Sequence, residues 1–186
     1  MAKLSRSARN NHNSAVKLLN NPLLNESEVE FIFNSYHEAA THLNAESGAF
    51  FTPFNLAWDA VLELGIYGDG KGFKILDLCA GIGVLSYCIK RRYPAAEIVS
   101  VDINSDYVEV GKKLVPEAGW HCINVGDLAE LRKLGHFNFV ISNPPFGRVR
   151  TFRGIDSPTY KGGEAEYKAI DIAAEISNCG VFILPQ

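Results

Sequence analysis

No apolar run in this chain reaches the length of a membrane span, and Met1 to Asn25 contains no signal-peptide core. The expected setting is therefore cytoplasmic, with no membrane partner. There is no C-x-x-C pair. Cys79, Cys88, Cys122 and Cys179 are scattered, with no histidine at ligand spacing, which argues against a zinc module and leaves no candidate metal ligand. The four are expected to be reduced core thiols. Strong charge is lacking too: a net charge of −3 gives no support to non-specific nucleic-acid binding, although a local basic face is compatible with it. Internal repeats and low-complexity tracts are absent. What remains is an ordinary globular composition, 47% hydrophobic and 21% charged, with 186 residues to build one substantial core.

The chain opens on a polar, Asn-rich stretch, residues 1–25, expected to be a loosely ordered arm or an early helix, with a helical turn around Ala15–Leu19. Ser27-Glu28-Val29-Glu30 fits a capping box, and Val29, Ile32, Phe33, Tyr36, Ala40 and Leu43 continue at helical spacing towards Asn44. Thr52-Pro53 starts an amphipathic helix over about Asn55–Leu64, and a Gly-rich linker follows over Gly65–Gly72. From Lys74 strands and helices alternate: a strand over Ile75–Cys79, a turn at Ala80-Gly81-Ile82-Gly83, a helix from Val84 to Arg92, and a strand over Glu97–Asp102. A helix over Ser105–Leu114, a strand over His121–Val125 and a strand over Phe137–Ser142 come next. A last helix, Gly163–Ser177, then leads to a strand near Gly180–Leu184. This is the pattern of an α/β chain with a mostly parallel sheet, helices on both faces and right-handed crossovers.

Two stretches carry chemistry. The G-x-G turn follows a strand and opens a helix, with Asp102 about 20 residues on, as a nucleoside-binding βαβ unit requires. The third glycine of the dinucleotide fingerprint is replaced by Ser86, so the ligand need not be a pyrophosphate. Asp102 is placed to accept from ribose hydroxyls, Asp127 from an adenine amine, and Asp77 to hold the turn or meet an ammonium group. The second stretch is Asn143-Pro144-Pro145-Phe146 at the end of a buried strand. The prolines forbid further ladder pairing and stiffen the corner. The Asn143 side-chain oxygen and the Pro144 carbonyl suit the two N–H groups of a planar amine, and Phe146 offers a stacking face. The segment Gly147–Gly162 carries Arg148, Arg150, Arg153 and Lys161, which makes a flexible basic loop suited to phosphates.

Together these stretches resemble the class I S-adenosylmethionine-dependent methyltransferases, and in particular the gamma-type N6-adenine DNA methyltransferases. Asp77 to Gly83 resembles the methionine-binding turn, and Val101-Asp102-Ile103-Asn104 the ribose-binding strand end. Gly126-Asp127-Leu128 resembles the element beside the cofactor adenine, and Asn143–Phe146 the catalytic motif. Gly48 to Pro53, with Leu56-Ala57, is similar to the extra amino-terminal cofactor motif, whose Phe51, Thr52 and Pro53 close over the methionine end. The resemblance implies a Rossmann-like fold, with a helical arm over 1–46 and a catalytic domain over 47–186. Its cofactor is S-adenosyl-L-methionine, held by Phe51, Thr52, Pro53, Asp77, Cys79, Ala80, Gly81, Gly83, Asp102, Ile103, Asp127, Leu128 and Asn143. The implied partner is DNA. The family has about seven strands, and this chain shows a pattern for five, so the C-terminal hairpin and a target-recognition domain are expected to be missing, as in a truncated product. Closely similar motifs serve rRNA bases and protein glutamine amides, and a cofactor-binding module without turnover is a third reading.

Overall fold

In the computed structural model, residues 5–37 and 51–185 are described. Burial on both faces of the central strands organises the molecule. On β1 (Lys74–Leu78), Ile75 faces one core cluster and Leu76 and Leu78 the other. On β2 (Glu97–Asp102), Ile98 joins the first cluster, Val99 and Val101 the second; on β4 (Phe137–Ser142), Ile141 joins the first, Phe137 and Val140 the second. Strands buried on both faces are what a parallel sheet covered by helices on each side produces. With β3 (Gly119–Cys122) and β5 (Ser177–Phe182) the sheet order is β3-β2-β1-β4-β5, every pairing parallel.

The first face is covered by α1 (Arg6–Leu18), α2 (Glu26–Ser35), α3 (Phe54–Leu62), α4 (Val84–Arg92) and α5 (Ser105–Leu114). The second carries α6 (Leu128–Lys133), α7 (Ala165–Ala174) and a short 3₁₀ turn at Arg150–Phe152.

Several expectations need correction. Of the two forms expected for the arm, the early helix is the one present, and it is longer than the single turn expected: α1 is a 13-residue helix capped by Ser5, with Ala15 fully buried. Burial decides this, since a marginal isolated helix is held by tertiary packing. Phe33 of α2 meets Phe54 and Tyr87 at ring-centroid distances of 6.2 and 5.2 Å, so the arm shares the core of the α/β part. The capping box is Asn25 with Glu28, not Ser27 with Glu30. The same pattern occurs twice with a two-residue offset, and starting at the earlier one adds intrahelical bonds. The helix ends at Ser35 with Tyr36 extended; Ala40, Leu43 and Gly48–Phe50 lie outside the described residues. Cys122 and Cys179 are exposed on the edge strands, and only Cys88 is a buried core thiol. Among the described residues no helix is long and apolar enough to cross a membrane.

Candidate functional site

Two neighbouring strands, β1 and β4, are in register at their carboxyl ends, Leu78 opposite Ser142. The chain leaves both there, and the two departures create the site. After β1, Cys79 adopts φ 61°, a left-handed conformation that costs a side-chain-bearing residue about 1–2 kcal/mol. Ala80 N–H donates to Val101 O at 2.9 Å and Gly81 N–H to Asp102 Oδ2 at 2.8 Å, which ties the turn to the end of β2. Gly81 has φ 55°, and an added Cβ there would lie 3.0 Å from the Phe51 ring. Gly83, φ 93°, caps α4, and a Cβ would collide with Trp120 at 2.8 Å.

Two acids serve this turn mechanically. Asp102 accepts from Gly81 N–H and, through Oδ1, from Asn104 N–H at 2.8 Å. Burial pushes its carboxyl above the usual range, and the backbone donors Asn104, Gly81 and Ile103 pull it back. A carboxylate has about four lone-pair sites, so these three donors do not exhaust it. Asp77 is wholly buried. Its Oδ2 accepts from Ser86 N–H at 3.0 Å and Ser86 Oγ–H at 2.6 Å, and Ser86 Oγ also lies 2.7 Å from Ser100 Oγ. Oδ1 is buried with no hydrogen-bond partner, and burial raises the Asp77 pKa to about 7. Of its two expected roles, holding the turn is the one the geometry displays. Burial also pushes the Cys79 thiol far up, so it stays protonated and is no nucleophile.

After β4, Pro144 is buried while Asn143, Pro145 and Phe146 are half-buried. Asn143 Nδ2 donates to Thr52 Oγ1 at 3.1 Å, a bond between residues 91 positions apart. Gly147, φ 71°, is gripped on both sides by the start of α7: its N–H donates to Glu166 Oε2 at 2.7 Å and its carbonyl accepts from Ala165 N–H at 2.8 Å. Glu166 is only 6% exposed and was not singled out from the sequence; an acid in a helical run gives no signal of such a contact.

The two departures face one cavity. Of the expected cofactor residues, Phe51, Cys79, Gly81, Asp102, Ile103 and Asn143 line it, as does Pro145 of the corner. Ala80 and Gly83 shape the turn behind it, Thr52 reaches it through Asn143, and Pro53 caps α3. Asp127 and Leu128 lie off the lining. Asp127 instead caps α6, accepting from Glu130 N–H at 3.1 Å. The reason is that β3 stops at Cys122 instead of running to Val125; Ile123 N–H bonds Asp102 O at 3.0 Å, and Asn124, Val125 and Ile123 take the wall. Tyr107, Thr151 and Phe152 complete it, none of them foreseen. Asn124 was traceable in principle, since Asn-Val-Gly is an Asx-turn sequence and Gly126 N–H does donate to Asn124 Oδ1 at 2.9 Å. The enclosed space is about 70 Å³, against roughly 300–1,000 Å³ for pockets that bury small molecules, so its walls must part to admit one.

The segment after the corner is not a flexible loop. Phe152, Ile155 and Ser157 are buried, and the Asp171 carboxylate accepts from Thr159 and Tyr160 N–H at 2.7 and 2.8 Å. Those donors hold the Asp171 carboxyl down at about 2, the Thr159 hydroxyl contributing most. Arg148 lies 3.4 Å from Glu164, and Lys161 donates to the carbonyls of Ser157 and Pro158. Arg150 and Arg153 are exposed.

Residues 67–153, which include the β1 turn and the β4 corner, match the methyltransferase small domain family. The sheet order, the glycine turn and the shared cavity agree with that match. The chain carries the Rossmann-like fold of solved methyltransferase structures. It is 30% identical over 76 residues to the ribosomal protein uL3 glutamine methyltransferase of Bordetella pertussis, covering 39% of this chain. Over 103 residues, 55% of this chain, it is 30% identical to modification methylase CviBIII of Paramecium bursaria Chlorella virus NC1A. The aligned stretch spans 26% of the length of each of these two relatives. The methyltransferase subunit of a type I restriction-modification system from Streptococcus thermophilus superposes with a TM-score of 0.60 at 16% identity, over 86% of this chain and 40% of that one.

Proposed function

We propose that this chain transfers a methyl group from S-adenosyl-L-methionine to an exocyclic amine, the N6 of adenine in DNA. The observation that carries the reading is the shared cavity: Asn143 at the end of β4 and Gly81 in the turn after β1 line one space. The residues fit the cofactor chemically. Val101, Ile103, Ile123 and Phe152 form apolar walls for a flat ring, Asp102 offers a carboxylate at the strand end for a ribose diol, and Gly81 leaves a cradle that a Cβ would fill. Bound there, S-adenosyl-L-methionine supplies an electrophilic methyl group.

The chain's own contribution is placement and charge. An amine conjugated to a ring is a weak nucleophile because its lone pair is delocalised. The Asn143 side-chain oxygen and the Pro144 carbonyl accept its N–H groups, and those bonds strengthen as positive charge builds on nitrogen, which favours the transition state over the ground state. Phe146 lies off the cofactor cavity, where an acceptor base entering from the rim needs a stacking face. Because the base must reach the corner edge-on, it is flipped from its stack.

A second reading keeps the chemistry and changes the acceptor to an rRNA base or a glutamine amide. The glutamine methyltransferase among the relatives favours it. Labelled cofactor offered with unmodified DNA, with RNA and with cell protein separates the two: label in adenine of DNA is the expected result. Label in RNA or protein alone moves the assignment to that acceptor. Cofactor binding by calorimetry without transfer to any acceptor leaves a binding module, and the methyl-transfer proposal is then rejected.

A further inference from the structure

Behind the cofactor cavity lies a second concavity with different chemistry. A cleft of about 400 Å³ is lined by Arg148, Val149, Phe152, Arg153 and Lys168, with Gly154 and Gly163 leaving its sides bare. Phe152 lines both spaces, so the cleft adjoins the cavity that holds Asn143.

Three cations converge there, in a chain whose net charge is −3. Lys168 is fixed: its Nζ donates to Ile155 O at 2.7 Å and Phe152 O at 3.4 Å, which leaves one of its three N–H groups. Arg153 has no carboxylate within ion-pair distance among the described residues. Arg148 meets Glu164 through Nε alone, at 3.4 Å, and its side chain is 80% exposed, so the rest of its guanidinium fork faces outward. Gly163 allows this, since a Cβ there would press on Arg148 Nε at 3.0 Å. No acid lines the cleft. Like charges in one concavity, only one of them facing a carboxylate among the described residues, repel each other, and an anion relieves that cost while gaining charge-assisted bonds.

We infer that this cleft binds a backbone phosphate of a nucleic acid, beside the nucleotide whose base enters the Asn143 corner. The inference rests on the methyl-transfer reading for the identity of that base and deepens it by naming the side chains that hold the backbone of the acceptor strand. It also revises which cations matter: Lys168 joins the set, and Lys161, whose Nζ is engaged with the carbonyls of Ser157 and Pro158, leaves it.

The test is binding of a short adenine-containing duplex, its single strand and the matching RNA, by fluorescence anisotropy across a salt series and without cofactor. Each phosphate contact to a duplex contributes about −0.9 to the slope of log affinity against log salt. Arg148→Gln with Arg153→Gln should make the slope shallower by about 0.9, the share of the one phosphate held, so that the loss of duplex affinity from about 50 to 200 mM salt becomes roughly three- to fourfold smaller than in wild type. Lys161→Gln should leave the slope unchanged. A double variant that melts like wild type yet keeps its full slope overturns the inference. So does Lys161→Gln matching the double variant, because the basic segment then acts without the cleft. Binding to neither polymer, with label transferred only to protein, overturns it as well. DNA and RNA supply the same phosphodiester, and their relative affinities say which one the site selects. Because cofactor is absent from the assay, a lost slope without methyl transfer rejects the catalytic reading and keeps the phosphate site.

Discussion

The turn after β1 and the corner after β4 lie side by side on one rim, and they are held rigid in opposite ways. The β1 turn is a backbone device. Its positive-φ residues, its bonds to Val101 O and Asp102, and the absence of side chains at Gly81 and Gly83 define it, and those bonds run to the neighbouring strand β2. The β4 corner is stiffened by its own prolines and then clamped from far away, by Thr52 on one side and Glu166 on the other. A binding surface for a cofactor needs close approach to bare backbone. A corner that must meet charge as it develops needs a side chain held in one orientation.

The largest expected effect separates the two regions outright. Asn143→Ala should lower methyl transfer by on the order of 10²–10³, the cost of losing one preorganised acceptor, while cofactor binding measured by calorimetry stays nearly intact. If affinity for the cofactor falls as far as turnover, the division of labour between turn and corner is wrong.

Most of the β1 side was legible in the sequence because its determinants are local. Glycine at 81 and 83, an acid at each strand end and alternating apolar residues announce a strand, a tight turn and a helix. The corner was legible for the same reason, since two prolines leave few conformations. What could not be read is every contact made across the chain: Thr52 on Asn143, Glu166 on Gly147, Phe152 lining both cavity and cleft. Asp127 shows the converse failure. Its local signal was sound, an acid after a strand, yet the strand ended three residues early and the same acid became a helix cap. An edge strand with a single partner has little to fix its end, so its boundary is where sequence reading fails first.

The next effect concerns the turn alone. Asp77 is raised to about 7 in the folded state, so the native protein holds a proton there that the unfolded chain releases near pH 4. A raised carboxyl contributes stability that is complete below its unfolded pKa and is lost as pH rises through the folded value. Between about pH 5 and 7 the wild type should therefore lose on the order of 2 kcal/mol from this group. Asp77→Asn, neutral at every pH, should flatten that part of the curve in denaturant titrations. A wild-type stability that rises over this window and is unaltered in the variant would show that Asp77 is ionised in the fold.

The smallest effects probe the clamps, and they decide whether remote support matters at all. Glu166→Ala leaves the part-buried Gly147 N–H without its acceptor, about 1 kcal/mol, and should lower kcat several-fold with little change in the cofactor constant; Glu166→Gln keeps an acceptor and should recover most of it. Thr52→Val keeps the shape and removes the hydroxyl that takes Asn143 Nδ2, one of the bonds that orient the amide. One neutral hydrogen bond is worth about 0.5–1.5 kcal/mol, which predicts a loss of three- to tenfold in kcat. Thr52→Ser restores the hydroxyl and should restore the rate. The pair distinguishes positioning from packing: a merely structural Thr52 tolerates Val, which keeps its volume, better than Ser, which gives up a methyl group from a site only 7% exposed. If Val retains full kcat and Ser is the poorer enzyme, the corner stands on its prolines alone, and the contrast with the β1 turn reduces to which residues make each bend stiff.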